Sequence, residues 1–249
     1  MFRLRSSLLP LAAAGALLSG GAVAQTYPAK AIRFIVPFAP GGPNDILARL
    51  ITPKITEAFG GTAVVVENRG GAAGTIGMDA LSKLPGDGYA LGMGGSSHLT
   101  VAPSFYQKLG YDSLKDFTPI ANVAAVPYVL AINPTVPARN VKELIAIASR
   151  KPKSLSYASS GAGSMSSLSA EIFKHHSKTD IVHVPYKGTA PALTDVITGQ
   201  IEMMFADLGI AQAHAKARRL RLLGVSTAKR SAAAPIFRRS ANRVCRATK

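Results

Sequence analysis

Pro37-Phe38-Ala39-Pro40-Gly41-Gly42-Pro43-Asn44-Asp45 carries the chain from one kind of periodicity straight into another. Ahead of it, Ile32-Arg33-Phe34-Ile35-Val36 is apolar and β-branched, the composition of a buried strand. Behind it, Ile46, Leu47, Leu50, Ile51, Ile55, Ala58 and Phe59 recur at helical spacing until Gly60-Gly61 ends the run. A strand that feeds a helix through a Gly- and Pro-rich loop leaves the first-turn amides facing whatever the loop encloses, an arrangement suited to small anions. A lone Gly-Gly loop is more often a plain βα turn, so the rest of the chain has to decide. Pro53 predicts a kink, because proline inside a helix forfeits a hydrogen bond at a cost of about 3 kcal/mol.

Outward from that loop, strands and helices alternate. Residues 63–67 read as a strand, 75–84 as a helix, Pro85-Gly86-Asp87-Gly88 as a turn and 89–94 as a strand. A second block follows Ile120 to Val126: strand 128–132, then a helix opened by the capping box Asn140-Val-Lys-Glu143 and running to Arg150. Strands at 155–158, 181–185, 201–206 and 220–225 then alternate with helices at 165–175, 191–198 and 211–217. Strand–helix alternation predicts mostly parallel sheets covered on both faces, and two such blocks predict two α/β lobes. The boundaries read as 25–122 for the first lobe and 123–235 for the second.

In open α/β sheets ligands sit at the carboxyl ends of strands. The loops there are 39–44, 68–74, 95–98, 159–164, 186–189 and 207–209, and each brings Gly, Ser or Thr to a helix start. Amides, hydroxyls and the helix-end dipole can hold a carboxylate without a formal charge at every contact. The candidate ligand-binding residues are Phe38, Ala39, Gly41, Gly42, Asp45, Ser96, Ser97, His98, Ser159, Ser160, Gly163, Ser164, Tyr186, Lys187, Gly188 and Asp207. Among them Asp45 reads first as a helix cap, Asp207 equally as an amine contact or a loop anchor, and Lys187 as a possible partner for a carboxylate. Arg69 serves the fold or the ligand's charge equally well. Arg218, Arg219 and Arg221 read as a solvated surface.

The start of the chain reads as an address. Arg3 and Arg5 precede an apolar run from Leu8 to Leu18, and Ala22-Val23-Ala24 is a small-x-small site, so residues 1–24 are expected to be a secretory signal peptide cleaved after Ala24. Nothing later reaches the ~20 apolar residues of a membrane span, which predicts no integral membrane segment in the mature chain. A periplasmic location follows. The formal charge of +16 suggests nucleic acid or an anionic surface, but residues 25–235 hold 22 basic and 13 acidic side chains, and no stacking motif or zinc finger interleaves them. Cys245 is the only cysteine, which excludes an internal disulfide and a Cys-ligated metal.

At this point a family resemblance is specific. Tyr27-Pro-Ala-Lys-Ala-Ile-Arg33, the 37–45 loop, Val66-Glu-Asn-Arg-Gly-Gly-Ala-Ala-Gly74, Lys83-Leu-Pro-Gly-Asp-Gly-Tyr89, Ser160-Gly-Ala-Gly-Ser164, Val184-Pro-Tyr-Lys-Gly188 and Leu223-Gly-Val-Ser226 resemble, in order and spacing, the periplasmic solute-binding receptors of the tripartite tricarboxylate transporter family, the Bug or TctC type. The similarity runs from Tyr27 to Pro235. It implies a two-lobed, type II periplasmic-binding-protein architecture that closes on a small organic carboxylate, with loops 38–45 and 159–164 as pincers and a membrane transporter or sensor as partner. Ser167-Leu168 stands where the family often has His-Leu.

The tail, 236–249, is basic, aperiodic and unlike the family. Back-translated with suitable codons and given one extra G, it reads Asp-Ile-Pro-Thr-Ile-Gly-Glu-Ser-Gly-Leu-Pro-Gly-Tyr-Glu, which resembles the family's continuation after Ala-Ala-Ala-Pro. A frameshift is the expectation, with the return to the first lobe missing and apolar surface of that lobe left uncovered.

The enzyme readings are weaker. Gly161-x-Gly163-x-x-Ser166 lacks the third glycine of a dinucleotide fingerprint, and no Gly-x-Ser-x-Gly elbow occurs. His175 and His176 are adjacent on a helix and point apart, which argues against metal ligation. His183 and His214 read as structural, leaving His98 alone beside the ligand. The expectation is a receptor without catalysis or cofactor; the alternative is an exported basic protein that binds nucleic acid or an anionic surface.

Overall fold

A computed structural model describes residues 26–226; the leader and the tail discussed above lie outside these described residues. The first sheet holds β1 (Ile32–Val36), β2 (Val64–Asn68) and β3 (Ala90–Gly92) in the order β2-β1-β3, all parallel. Its alternation decides what covers it. Phe34 and Val36, with Val64, Val66, Leu91 and Met93 beside them, turn to helix α1 (Pro43–Ala58), which supplies Leu47, Ala48, Ile51 and Ile55. These positions lie along one helical face. α1 continues through Pro53. On the reverse face Arg33 donates to both oxygens of Glu67, at 2.6 and 2.9 Å, and helix α2 (Thr75–Ser82) lays Leu81 over Gly92.

The second sheet holds β4 (Tyr128–Ile132), β5 (Ser156–Ser159), β6 (Val182–Pro185), β7 (Met203–Asp207) and β8 (Arg221–Val225), ordered β6-β5-β7-β4-β8. Side chains alternate between two cores. Leu130, Ile132, Tyr157, Met203 and Phe205 pack with Leu144 and Ala148 of α4 (Val141–Arg150) and with Ala170 and Phe173 of α5 (Met165–Ser177). Val129, Ala131, Ala158, Met204 and Ala206 pack with Ala192, Leu193 and Val196 of α6 (Thr189–Thr198) and with Leu208 and Ala211 of α7 (Leu208–Lys216).

The sheets are mostly parallel, as expected, with one strand as the exception. β4 runs antiparallel to both β7 and β8. It enters straight from the linker at the end where β7 finishes, Tyr128 pairing Asp207, so no crossover helix brings it round to the other end. As a result β5, β6, β7 and β8 all end, and β4 begins, at one edge of the sheet. That edge faces the first lobe. Two helical turns that the sequence did not announce, a π turn at Ser97–Val101 and α3 (Ala102–Phe105), follow β3 and reach toward the same edge.

Between α3 and β4 the chain is irregular, and residues 118–126 are exposed throughout. Of the exposed large apolar side chains among the described residues, most belong to this stretch or the first lobe: Ile46, Leu50, Val65, Ile76, Leu114 and Ile120 are examples.

Candidate functional site: the cleft between the lobes

The 37–45 loop is shaped by its own carboxylate. Asp45 accepts from the Gly41 amide (3.0 Å), Arg49 Nε (3.1 Å) and Asn68 Nδ2 (3.0 Å), and Asn68 also donates to the Phe38 carbonyl (3.1 Å). Burial would raise its pKa, but Arg49, the Gly41 amide and Asn68 together hold the carboxyl below the usual range. The Asp45 oxygens are thus engaged within the first lobe, as a loop clamp.

With Asp45 turned back, the start of α1 has Gly42 at its cap and no side-chain cap. The same holds for α2 behind Gly74 and α6 behind Gly188, and α7 starts at Asp207, whose side chain makes no cap bond. The contrast is α4, whose Asn140 accepts from the Glu143 amide at 3.0 Å while Glu143 accepts from Arg139 N. α4 begins beside residues 136–138, which Arg221 binds at the far edge of the sheet. The side-chain cap of α4 thus lies away from the cleft, and α5 carries a serine cap at it, while three helices that follow strand ends facing the cleft are capped by glycine alone. Those first-turn amides need an acceptor, and the helix dipole makes a negative one favourable.

The two lobes meet along these loops. A methyl group on Gly188 would lie 3.1 Å from Ala39 Cβ, and one on Gly41 would lie 3.6 Å from Ala190 Cβ. The Lys187 carbonyl stands 3.0 Å from where a Gly70 Cβ would be. Gly161, at φ 130°, leaves room for the Ala73 amide, 2.9 Å from the missing Cβ; Gly163, at φ 81°, does the same for the Phe105 ring. Hydrogen bonds cross the seam too, from Met165 N to Ser97 Oγ (3.0 Å) and from Tyr106 OH to the Ala162 carbonyl (2.7 Å).

Behind the second lobe's glycine loop lies a cluster of buried hydroxyls. Ser166 Oγ accepts from Ser160 N (2.9 Å) and pairs with Ser160 Oγ (3.0 Å) and Ser164 Oγ (2.9 Å). Ser164 caps α5 by accepting from Ser167 N, and Ser167 Oγ donates to the Ser164 carbonyl at 2.8 Å. The Ser167 hydroxyl, at the position where a family histidine was expected, is thus used in closing a helical turn.

Two buried titratable groups stand at the cleft. Asp207 accepts from Thr189 Oγ1 at 3.1 Å. Burial pushes its pKa up to about 6 against the lowering effect of Thr189, its own backbone and Tyr128; burial and Asp207 in turn push the Tyr128 hydroxyl far up. His98 is wholly buried beneath Phe38, ring centroids 5.8 Å apart. Neither ring nitrogen has a hydrogen-bond partner at full geometry. Burial lowers its pKa to about 4, and the backbone of Ala73 and Met93 offsets only part of that, so the ring is neutral.

The structure brings Phe38, Ala39, Gly41, Gly42, Ser97, Ser159, Ser160, Gly163, Ser164 and Gly188 to the facing loops, with His98 and Asp207 behind them. Four candidates sit differently, Asp45 among them as the loop clamp described above. Ser96 is exposed, the Tyr186 hydroxyl donates to Asp195 within its own lobe (2.5 Å), and Lys187 is exposed, contributing its carbonyl at the seam. Sequence reasoning missed Phe105, Tyr106, Ser166 and Tyr128, and named the loops of Ala73 and Thr189 without singling out those two residues. The aromatic pair that follows the 95–98 loop was the available signal for two of them.

Two α/β lobes that face each other across a loop-lined cleft have the architecture of periplasmic solute-binding proteins. The family model described as "Tripartite tricarboxylate transporter family receptor" matches residues 47–244, and the chain belongs to that family. It is 40% identical over 220 residues to a UPF0065 protein of Bordetella bronchiseptica, covering 88% of this chain and 65% of that protein. Among solved structures, an R. palustris protein with adipate superposes with a TM-score of 0.83 at 35% identity, covering 86% of this chain and 72% of that one. MatC from Rhodopseudomonas palustris with bound malate gives 0.81 at 29%, with the same coverage. The family and fold are those of substrate-binding receptors, not enzymes. The chain spans 65%, 60% and 64% of the length of three curated relatives it matches. No helix among the described residues is long and apolar enough to cross a membrane.

Proposed function

We propose that this chain binds a small organic carboxylate between its lobes in the periplasm, after cleavage behind Ala24, and presents it to a tripartite-type membrane transporter or to a sensor. The observation that carries the reading is the set of glycine-capped helix starts at Gly42, Gly74 and Gly188, gathered where the two lobes face each other. Amides so placed bind a carboxylate without a guaranteed cation. That suits a cleft whose Asp45 is internally paired and whose Lys187 is exposed. The two relatives solved with adipate and with malate support a di-acid; tricarboxylates, amino acids and aromatic acids are the other members of the class to be tried.

Calorimetric titration with adipate and malate tests this reading. A solute that binds only the native state adds about 2.7 kcal/mol of stability at 100 times its dissociation constant, so thermal shift provides a second readout. Stabilisation by nucleic acid, falling steeply with salt, and none by any carboxylate would favour a basic surface binder instead.

A further inference from the structure

We propose that His183 is a positioning residue of the cleft: from the open edge of the second sheet it fixes the Ser159 hydroxyl, and through it the Gly161 turn that faces the other lobe. The inference rests on reading that cleft as the solute site. β6 is an edge strand, and its His183 is half-buried, with the ring stacked on Tyr157 at 4.5 Å and 7°. His183 Nε2 lies 2.7 Å from Ser159 Oγ. Ser159 is fully buried at the carboxyl end of β5, and its Oγ also accepts from the Gly161 amide at 3.2 Å. Gly161 is the residue whose missing side chain admits the Ala73 amide of the first lobe. Four groups thus connect in series, from a solvent-reachable imidazole to the contact between the lobes.

The central bond can run either way, since a neutral imidazole nitrogen and a hydroxyl each donate or accept. A hydroxyl has one proton to donate. With Oγ accepting from Gly161, one lone pair and the hydroxyl proton remain; in the proposed arrangement that proton goes to Nε2 of a neutral imidazole that carries its own proton on Nδ1, so that the ring is the acceptor. A proton added at Nε2 reverses the bond and leaves the Ser159 O–H buried without this acceptor, an arrangement that costs free energy. The groups facing His183 are Tyr157 and Ser159 from β5, and Glu171 and Lys174 from α5. Glu171 accepts from Tyr157 OH and from Lys174, at 2.5 and 2.9 Å, so its charge is shared before it reaches the ring. Burial lowers the His183 pKa below its ordinary value, with Glu171 pulling upward and Lys174 downward. The neutral ring is therefore the form present at neutral pH.

A structural histidine would tolerate replacement without any link between pH and the glycine turn; a positioning one would not. The test is a two-dimensional amide NMR titration of the full chain from pH 8 to 5, following the Gly161 amide and the His183 ring protons. The Gly161 shift should move with the same midpoint as His183, below 6.5. Ser159→Ala should leave His183 titrating while Gly161 no longer follows. His183→Gln, which retains an acceptor, should hold Gly161 near its neutral-pH position throughout, whereas His183→Ala should displace it at every pH. In the parent, affinity for adipate or malate should fall about fivefold across the same midpoint, in line with one buried hydrogen bond, and His183→Gln should flatten that dependence. A Gly161 amide that ignores His183, or that follows it equally in Ser159→Ala, overturns the proposal. If the amide behaves as stated but neither acid binds at any pH, the positioning link stands and the solute class is wrong.

Discussion

Gly188→Val puts a wedge into the seam on which the receptor reading depends. Gly188 precedes α6 with extended backbone (φ 160°, ψ 174°), which a β-branched residue adopts without strain. The nearest atoms to its missing Cβ are Ala39 Cβ at 3.1 Å and Ala39 N at 3.2 Å, both on the other lobe. Carbon atoms prefer 3.5–4.0 Å, so one methyl group already holds the lobes a few tenths of an ångström apart, and the two further methyls of valine must also be placed. Overpacking of this kind costs about 1–3 kcal/mol, a loss of roughly 5- to 150-fold in affinity if solute binding requires closure. The assay is calorimetric titration with adipate and malate, paired with urea unfolding. Because the clash lies between lobes, the unfolding midpoint should move little. A valine variant that binds its acid as tightly as the parent would show that solute capture does not bring Gly188 against Ala39.

Other perturbations probe separate parts of the cleft. Asp207 keeps its proton to about pH 6 in the fold, against about 3.9 when unfolded, so its contribution to stability is present below pH 4 and is lost as pH rises through 6; on the order of 2–3 kcal/mol should disappear from urea unfolding over that window, and Asp207→Asn should remove the step. Asn68→Ala leaves Asp45 and the Phe38 carbonyl short of a donor and should cost about 1–3 kcal/mol of stability by urea unfolding, with weaker solute binding as the loop loosens. Tyr106→Phe removes only the hydroxyl that reaches Ala162, so small-angle scattering should show a more open average shape at unchanged secondary structure.

Much of this arrangement was legible in the sequence, because period and punctuation fix elements locally. The β1 run, the α1 stripe and the Asn140 capping box needed no knowledge of distant residues. Bounds drifted where tertiary contacts decide: α6 starts at Thr189, ahead of Pro191, since proline is tolerated in a first turn, and α7 starts directly behind Asp207. The direction of β4 was not legible. Its residues read as a strand in either sense, and only the linker's entry point decides which. Among the candidate residues, the glycines and the serines other than Ser96 fall on the facing loops, because loop chemistry demands such residues there. Tyr186 is placed by a contact the loop sequence does not announce, its hydroxyl meeting Asp195 on the helix that follows it. His183 was read as structural because a strand position says nothing about the hydroxyl beside it on the next strand.

The central claim is that a carboxylate is held between the lobes by amides and hydroxyls. It is tested most directly by titrating adipate and malate calorimetrically at two ionic strengths, each beside its diamide. The predicted result is binding of at least one acid, lost in the diamide and little changed between low and high salt, because a site closed between two lobes is poorly screened. Equal binding of acid and diamide, or affinity that collapses with salt as it does at an exposed cationic surface, would contradict it.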